Sequence, residues 1–187
     1  METDETLINE TSKKNELAFE ELVKRYENQI VNLIYKYVNN TADAEELAQE
    51  VFLKVWKYAN NFKGKSKFST WLYRIAVNTC LNFKKHKVSV FEFFDEKIQS
   101  AENNYLDSFK PDTLLEKNNS DIIVRNLIDN LPSNQKIALI LSRFEGKSYK
   151  EIADIMEISV SSVESILFRA KQNLQQNLLP LKENNEI

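Results

Sequence analysis

Two glycines and three prolines are all that 187 residues contain, against average usage of about 7% and 5%. Sheets need tight turns, and tight turns need those residues, so the composition argues against a β-sandwich or barrel. The Rossmann and P-loop phosphate cradles are excluded, because each needs closely spaced glycines and Gly64 lies far from Gly146. One cysteine, Cys80, and one histidine, His86, supply no zinc-ligand set and no internal disulfide. A Ser-His-Asp or Cys-His set would depend on His86, which sits in a Lys-rich stretch. No catalytic residue, metal or cofactor is therefore expected. Residues 1–15 are acidic and polar, unlike a signal peptide, and no apolar run approaches the roughly 20 residues that span a bilayer. The chain reads as cytoplasmic, without stable membrane insertion, and helical.

The net charge is −3, which at face value argues against nucleic acid. The order of the charges argues for it. Residues 41–50 hold four acids (Asp43, Glu45, Glu46, Glu50) and no base. Residues 51–91 hold nine bases (Lys54, Lys57, Lys63, Lys65, Lys67, Arg74, Lys84, Lys85, Lys87) and no acid. Residues 88–130 return nine acids against four bases, and 131–187 balance at seven each. A solvated surface normally mixes signs, so so long a stretch without an acid has the character of a polyanion track. Each Lys or Arg there brings a salt-sensitive phosphate contact.

Apolar periodicity places a first helix over Glu16–Val38, with Phe19, Leu22, Val23, Tyr26, Ile30, Leu33, Ile34 and Tyr37 in one stripe. Asn39, Asn40 and Thr41 break it. Asp43 and Glu46 have capping-box spacing before a second helix that turns Ala44, Leu47, Ala48, Val51, Phe52, Val55 and Trp56 inward. Its other face carries Asp43, Glu46, Gln49, Glu50 and Leu53. Residues 60–67 form a turn-rich loop around Gly64, and a third helix runs from Phe68 to about Lys85. On it Trp71 falls on the apolar stripe, whereas Tyr73 falls off it and is free to stack on a base. Residues 87–112 lose periodicity and read as a linker between a first domain, 1–86, and a second, 113–187. Within the second, 113–130 looks helical, Pro132 starts a helix and Gly146 ends it.

The sharpest pattern follows. Ser148 and Glu151 form a capping box before Ile152, Ala153, Ile155 and Met156, and Ser159 caps a final helix with Val163, Ile166, Leu167, Ala170 and Leu174 inward. Two short helices, a tight turn and a small residue at the crossing describe a helix-turn-helix. Its outward face shows Ser161, Ser162, Glu164, Ser165, Phe168, Arg169 and Gln172, where Phe beside Arg suits thymine-methyl and guanine or phosphate contact. A conventional repressor with a helical sensor domain and a helical adaptor whose basic stretch is incidental remain rival readings.

The segments DAEELAQEVFLKVWKY (43–58), FKGKSKFSTWLYRIAVNTCLNF (62–83) and LPSNQKIALILSRFEGKSYKEIADIMEISVSSVESILFRAKQNL (131–174) resemble, in this order, a bacterial RNA polymerase sigma factor of the extracytoplasmic function (ECF) group. The resemblance implies an all-α chain of two small domains joined by a linker, the second holding the helix-turn-helix, that makes transcription initiation promoter-specific. It implies core RNA polymerase (β′ and β subunits), promoter DNA and an anti-sigma factor as partners. Asp43, Glu46, Gln49, Glu50 and Leu53 match the surface that grips the β′ clamp. Lys63, Lys65, Lys67, Tyr73, Arg74, Asn78, Asn82 and Lys85 match the part that melts and reads the −10 element. Ser161, Ser162, Glu164, Ser165, Phe168 and Arg169 match the −35 reader. Three positions depart from the family pattern: Glu157 stands where the turn usually has Gly, and Glu164 and Ile166 stand where relatives commonly carry bases.

Overall fold

The computed structural model describes residues 2–95 and 119–183, and it begins with a helix where composition suggests only an acidic tail. In α1 (Asp4–Ser12), the Thr3 hydroxyl caps the first turn by accepting from the Thr6 N–H at 3.2 Å. Leu7, Ile8 and Thr11 are buried on one side. The Arg25 guanidinium pairs with Asp4 at 2.9 Å, and the Tyr26 hydroxyl donates to the same carboxylate. The signal was the apolar pair Leu7 and Ile8 behind a threonine cap.

α2 (Glu16–Val38) keeps the expected bounds. Asn15 caps its start, and Asn39, with φ at 56°, ends it in the left-handed conformation that asparagine tolerates. Leu22, Ile30, Leu33 and Ile34 are fully buried along the stripe, each stabilising the fold by about 1.5–3 kcal/mol relative to exposure. α3 (Thr41–Tyr58) starts earlier than the capping-box spacing predicts. Asn40 caps it by accepting from the Asp43 N–H at 2.9 Å, so Asp43 sits in the first turn, where a carboxylate meets the positive end of the helix dipole. A single 3-10 turn (Ala59–Asn61) leads into the loop.

α4 (Phe68–Asp95) continues past Lys85, where the sequence pattern predicts its end. No glycine or proline interrupts residues 65–95, so nothing local stops the helix. The first residues of the expected linker are thus helical, while most of that segment, residues 96–112, lies outside the described residues. α5 (Asn119–Asp129) covers the described part of the helix expected over 113–130. α6 (Ser133–Arg143) opens behind Pro132 as predicted and ends ahead of Gly146. α7 (Tyr149–Met156) and α8 (Val160–Glu183) complete the order. No strand occurs among the described residues, and none of their helices is long and apolar enough to cross a membrane.

The core is shared by both halves. Ile137, Ile140, Leu141, Ile152 and Val163 belong to the same buried cluster as Leu33, Phe68, Leu72 and Val77. α4 packs against α7, and α2 and α4 against α6, so the second half lies on the face of the first that α4 provides.

Candidate nucleic-acid interface

The basic loop is held at its ends by aromatic rings. Phe62 packs on Trp71 with ring centroids 5.6 Å apart and on Phe68 at 6.2 Å, and Phe68 meets Tyr26 edge-on at 5.4 Å. Trp71 is therefore part of the core edge, as its place on the stripe predicts. Between those anchors Gly64 takes φ of 67°, a value that strains any side chain. The resulting turn leaves Lys63, Lys65 and Lys67 exposed, with the Lys63 ammonium donating to the Asn60 carbonyl at 3.0 Å.

On α4 the positions 74, 78, 82 and 85 follow helical spacing, so Arg74, Asn78, Asn82 and Lys85 share a face. Asn78 and Asn82 are exposed, and each amide offers a donor and an acceptor to a base edge. Lys85 lies on the helix; its side chain is outside the described residues.

Tyr73 corrects the expectation that it stands free for stacking. Its relative exposure is 2%, because the second half covers it. The Tyr73 hydroxyl donates to Glu145 Oε2 at 2.9 Å, and the Lys147 ammonium sits 4.3 Å from its ring centroid. Burial first, then the Glu145 carboxylate, pushes the hydroxyl pKa well above its usual value. Glu145, whose side chain is 10% exposed, also takes Lys36 on Oε1 at 3.0 Å. Sequence periodicity within one helix could not reveal this, since the covering group comes from the other half of the chain.

Arg74 is engaged from the same side. One terminal nitrogen pairs with Glu157 Oε1 at 2.8 Å and the other donates to the Asp154 carbonyl at 2.7 Å, while its buried Nε has no hydrogen-bond partner among the described residues. Two further polar joints close the halves. Asn39 donates to Asp129 at 3.1 Å and accepts from Arg125 at 3.3 Å. Lys136, buried and paired with Asp129 of its own half at 2.6 Å, reaches across to lie 5.2 Å from the Tyr37 ring centroid. Cys80 is buried on the inner side of α4, and desolvation pushes its thiol up to about 12, so it stays a protonated packing group.

The helix-turn-helix is built as its spacing predicts. The Ser148 hydroxyl accepts from the Glu151 N–H, and the Glu151 carboxylate accepts from the Ser148 N–H at 2.8 Å. The Ser148 hydroxyl also donates to the Glu151 carboxylate at 2.7 Å, and that bond first, then the one from the Ser148 N–H, holds the carboxylate below its usual range. Glu157 ends α7 with φ of 57°, a conformation costing a non-glycine residue of order 1 kcal/mol. Ser159 then caps α8, accepting from the Ser162 N–H at 3.1 Å and sharing hydrogen bonds with the Ser161 and Ser162 hydroxyls. Val163 and Ala170 are buried; Ser161, Glu164, Ser165 and Arg169 are exposed and Phe168 is 61% exposed. Ile166 is half-buried, so it belongs to the packing side.

A third surface lies on α3. Glu46, Gln49, Glu50 and Leu53 are exposed and Asp43 half-buried on one face, with Leu53 66% exposed. Glu50 pairs with Lys54 at 2.6 Å, and the Lys54 ammonium donates to Thr79 Oγ1 on α4 at 2.9 Å. That bridge fixes the face to the rest of the half.

Comparison with known proteins places both halves. Residues 22–89 match the sigma-70 region 2 family and residues 121–174 match sigma-70 region 4. The chain is similar to the RNA polymerase sigma-H factor of Pseudomonas aeruginosa, at 33% identity over 96% of both chains. It is also similar to the ECF RNA polymerase sigma-E factor of Haemophilus influenzae, at 35% identity over 96% of this chain and 97% of that one. Among solved structures, its fold resembles the sigma factor RpoE of Bartonella quintana, crystallised with the anti-sigma factor NepR. The TM-score is 0.63 at 19% identity, over 86% of this chain and 96% of that one.

Proposed function

The chain belongs to the ECF group of RNA polymerase sigma factors, which direct promoter-specific transcription initiation, and from that premise we propose how its surfaces divide the work. A first domain over 1–86 holds the polymerase and the −10 element, a linker over 87–112 connects the halves, and a second domain over 113–187 holds the −35 element. Asp43, Glu46, Gln49, Glu50 and Leu53 contact the β′ clamp of core polymerase. Lys63, Lys65, Lys67, Arg74 and Lys85 track single-strand phosphates, Asn78 and Asn82 read an unstacked base, and Tyr73 stacks once uncovered. Ser161, Ser162, Glu164, Ser165, Phe168 and Arg169 meet the −35 duplex, Glu164 as an acceptor for a cytosine amine.

The chain carries no chemistry of its own; bond formation stays with the polymerase. It acts in the cytoplasm, and an anti-sigma factor is its partner, as NepR is the partner of RpoE, a protein of the same fold. The carrying observation is Leu53. A leucine 66% exposed within an acidic face is unexplained by solvation, and it supplies the apolar anchor with a polar rim that protein interfaces use.

The test is reconstitution. Core polymerase with this chain should give discrete run-off transcripts from a genomic promoter library, and the Leu53→Ala, Glu50→Lys variant should lose both the transcripts and co-purification with β′. A variant that still co-purifies with β′ overturns the assignment of that face.

A further inference from the structure

Arg74 is claimed twice. On the reading above it meets single-strand phosphate, yet in the folded chain its two terminal nitrogens are taken by Glu157 and the Asp154 carbonyl. A carboxylate and a carbonyl oxygen arranged on one guanidinium present what a phosphate would present, two oxygens to a planar fork. Glu157 is also an unusual residue for its place. It holds a left-handed backbone, φ 57° and ψ 42°, at the turn of the helix-turn-helix, where glycine carries no steric cost. Two other non-glycine residues among those described have positive φ, Lys14 and Asn39. Asparagine accepts that region through its short side chain; glutamate has no such excuse.

We propose that Glu157 is an internal stand-in for a DNA phosphate, whose carboxylate occupies Arg74 and biases the chain toward a closed form in which Tyr73 and Arg74 of the −10-reading face are taken up internally. The proposal rests on the assignment of Arg74 to single-stranded DNA. Closure buries Tyr73 and engages Arg74 in one movement, because Glu145 and Glu157 flank α7 and reach adjacent residues of α4. The strained turn is kept because its side chain points back to α4. DNA and closure then compete for the same cation. Glu157 is 61% exposed at its side chain, so the competition is shallow: an exposed ion pair shifts such an equilibrium by about two- to five-fold. That suits a bias rather than a lock, since polymerase docking has to reverse it.

The same residue affects folding and closure with opposite signs, which makes the idea testable on the full chain. Dyes placed through Glu27→Cys on α2 and Gln175→Cys on α8 report closure by energy transfer; Cys80, fully buried, stays unlabelled in the folded protein. Glu157→Gly is expected to raise the open-to-closed ratio by about two- to five-fold without lowering the thermal midpoint, because glycine takes φ of 57° freely. Glu157→Gln, which keeps the strained backbone, should open the chain similarly and remove part of its salt dependence. Reversing the pair, Arg74→Glu with Glu157→Arg, should restore closure lost in each single variant. Binding of fluorescent oligo-dT should rise with Glu157→Gly by the same factor as opening. Unchanged energy transfer in Glu157→Gly, with no restoration in the reversed pair, overturns the latch. If instead the chain opens but Glu157→Gly binds oligo-dT no better with Arg74 than with Ala at that position, the latch stands and the assignment of Arg74 to DNA fails.

Discussion

The Tyr73 hydroxyl donates to Glu145 across 2.9 Å, tying the helix assigned to the −10 element to the loop between α6 and α7. A residue expected to face DNA is thereby an internal joint. Tyr73→Phe keeps the ring and removes the joint, leaving one oxygen of a largely buried carboxylate without its donor. The loss should be about 1–3 kcal/mol in the unfolding free energy of the full chain, since hydrogen bonds to charged groups fall in that range. Promoter opening should be nearly unchanged, because the stacking face is intact, whereas Tyr73→Ala should lose it. Urea titration and single-round transcription separate the two effects.

The same hydroxyl fixes the sign of an alkaline effect. Its pKa is raised in the folded chain, so its contribution is fully present below the ordinary tyrosine value near 10 and is lost as pH rises through the folded value. Closure read by energy transfer should therefore lack any tyrosine-dependent step between roughly pH 6 and 9, and Tyr73→Phe should remove any step seen at higher pH.

The capping box of α7 gives an acid-side counterpart. Ser148→Ala should cost about 1 kcal/mol and free the Glu151 carboxylate. That carboxylate is depressed by the Ser148 hydroxyl and N–H, so its contribution is present above its ordinary value of 4.5 and disappears as pH falls through the folded value. The difference in urea midpoint between wild type and Ser148→Ala should shrink as pH is lowered through that window.

Asn78 is exposed on the face that Arg74 begins. Asn78→Ala should leave the unfolding midpoint within about 0.5 kcal/mol of wild type and leave closed-complex affinity little changed. Permanganate reactivity of unpaired thymines near the start site should fall, and a premelted template should rescue transcription. Equal loss on duplex and premelted DNA would mean that Asn78 supports some other step.

What could be read in advance was local. Apolar period fixed α2 to its end residues, and the Ser148–Glu151 spacing located α7, because each is decided within a few turns of chain. The continuation of α4 past Lys85 escapes the sequence pattern because weakening amphipathicity resembles a linker while the stretch still lacks any helix breaker. Asn40 outranked Asp43 as a cap because both are good caps and only geometry chooses between them. The burial of Tyr73 escapes the sequence for another reason: its cover is Glu145, distant in sequence, and no periodicity within α4 reports it. The engagement of Arg74 by Glu157 and the Asp154 carbonyl is equally distant in sequence, and no pattern within α4 reports it.

Run-off transcription with purified core polymerase and the full chain tests the central claim most directly. Addition of the chain should convert scattered, weak transcription of a genomic fragment library into a small set of discrete start sites, each carrying sequence elements at −10 and −35. The chain alone, at about 150 mM salt where screening extends only about 8 Å, should bind those promoters weakly. Unchanged scattered transcription, together with tight, sequence-specific binding by the free chain, would contradict the account.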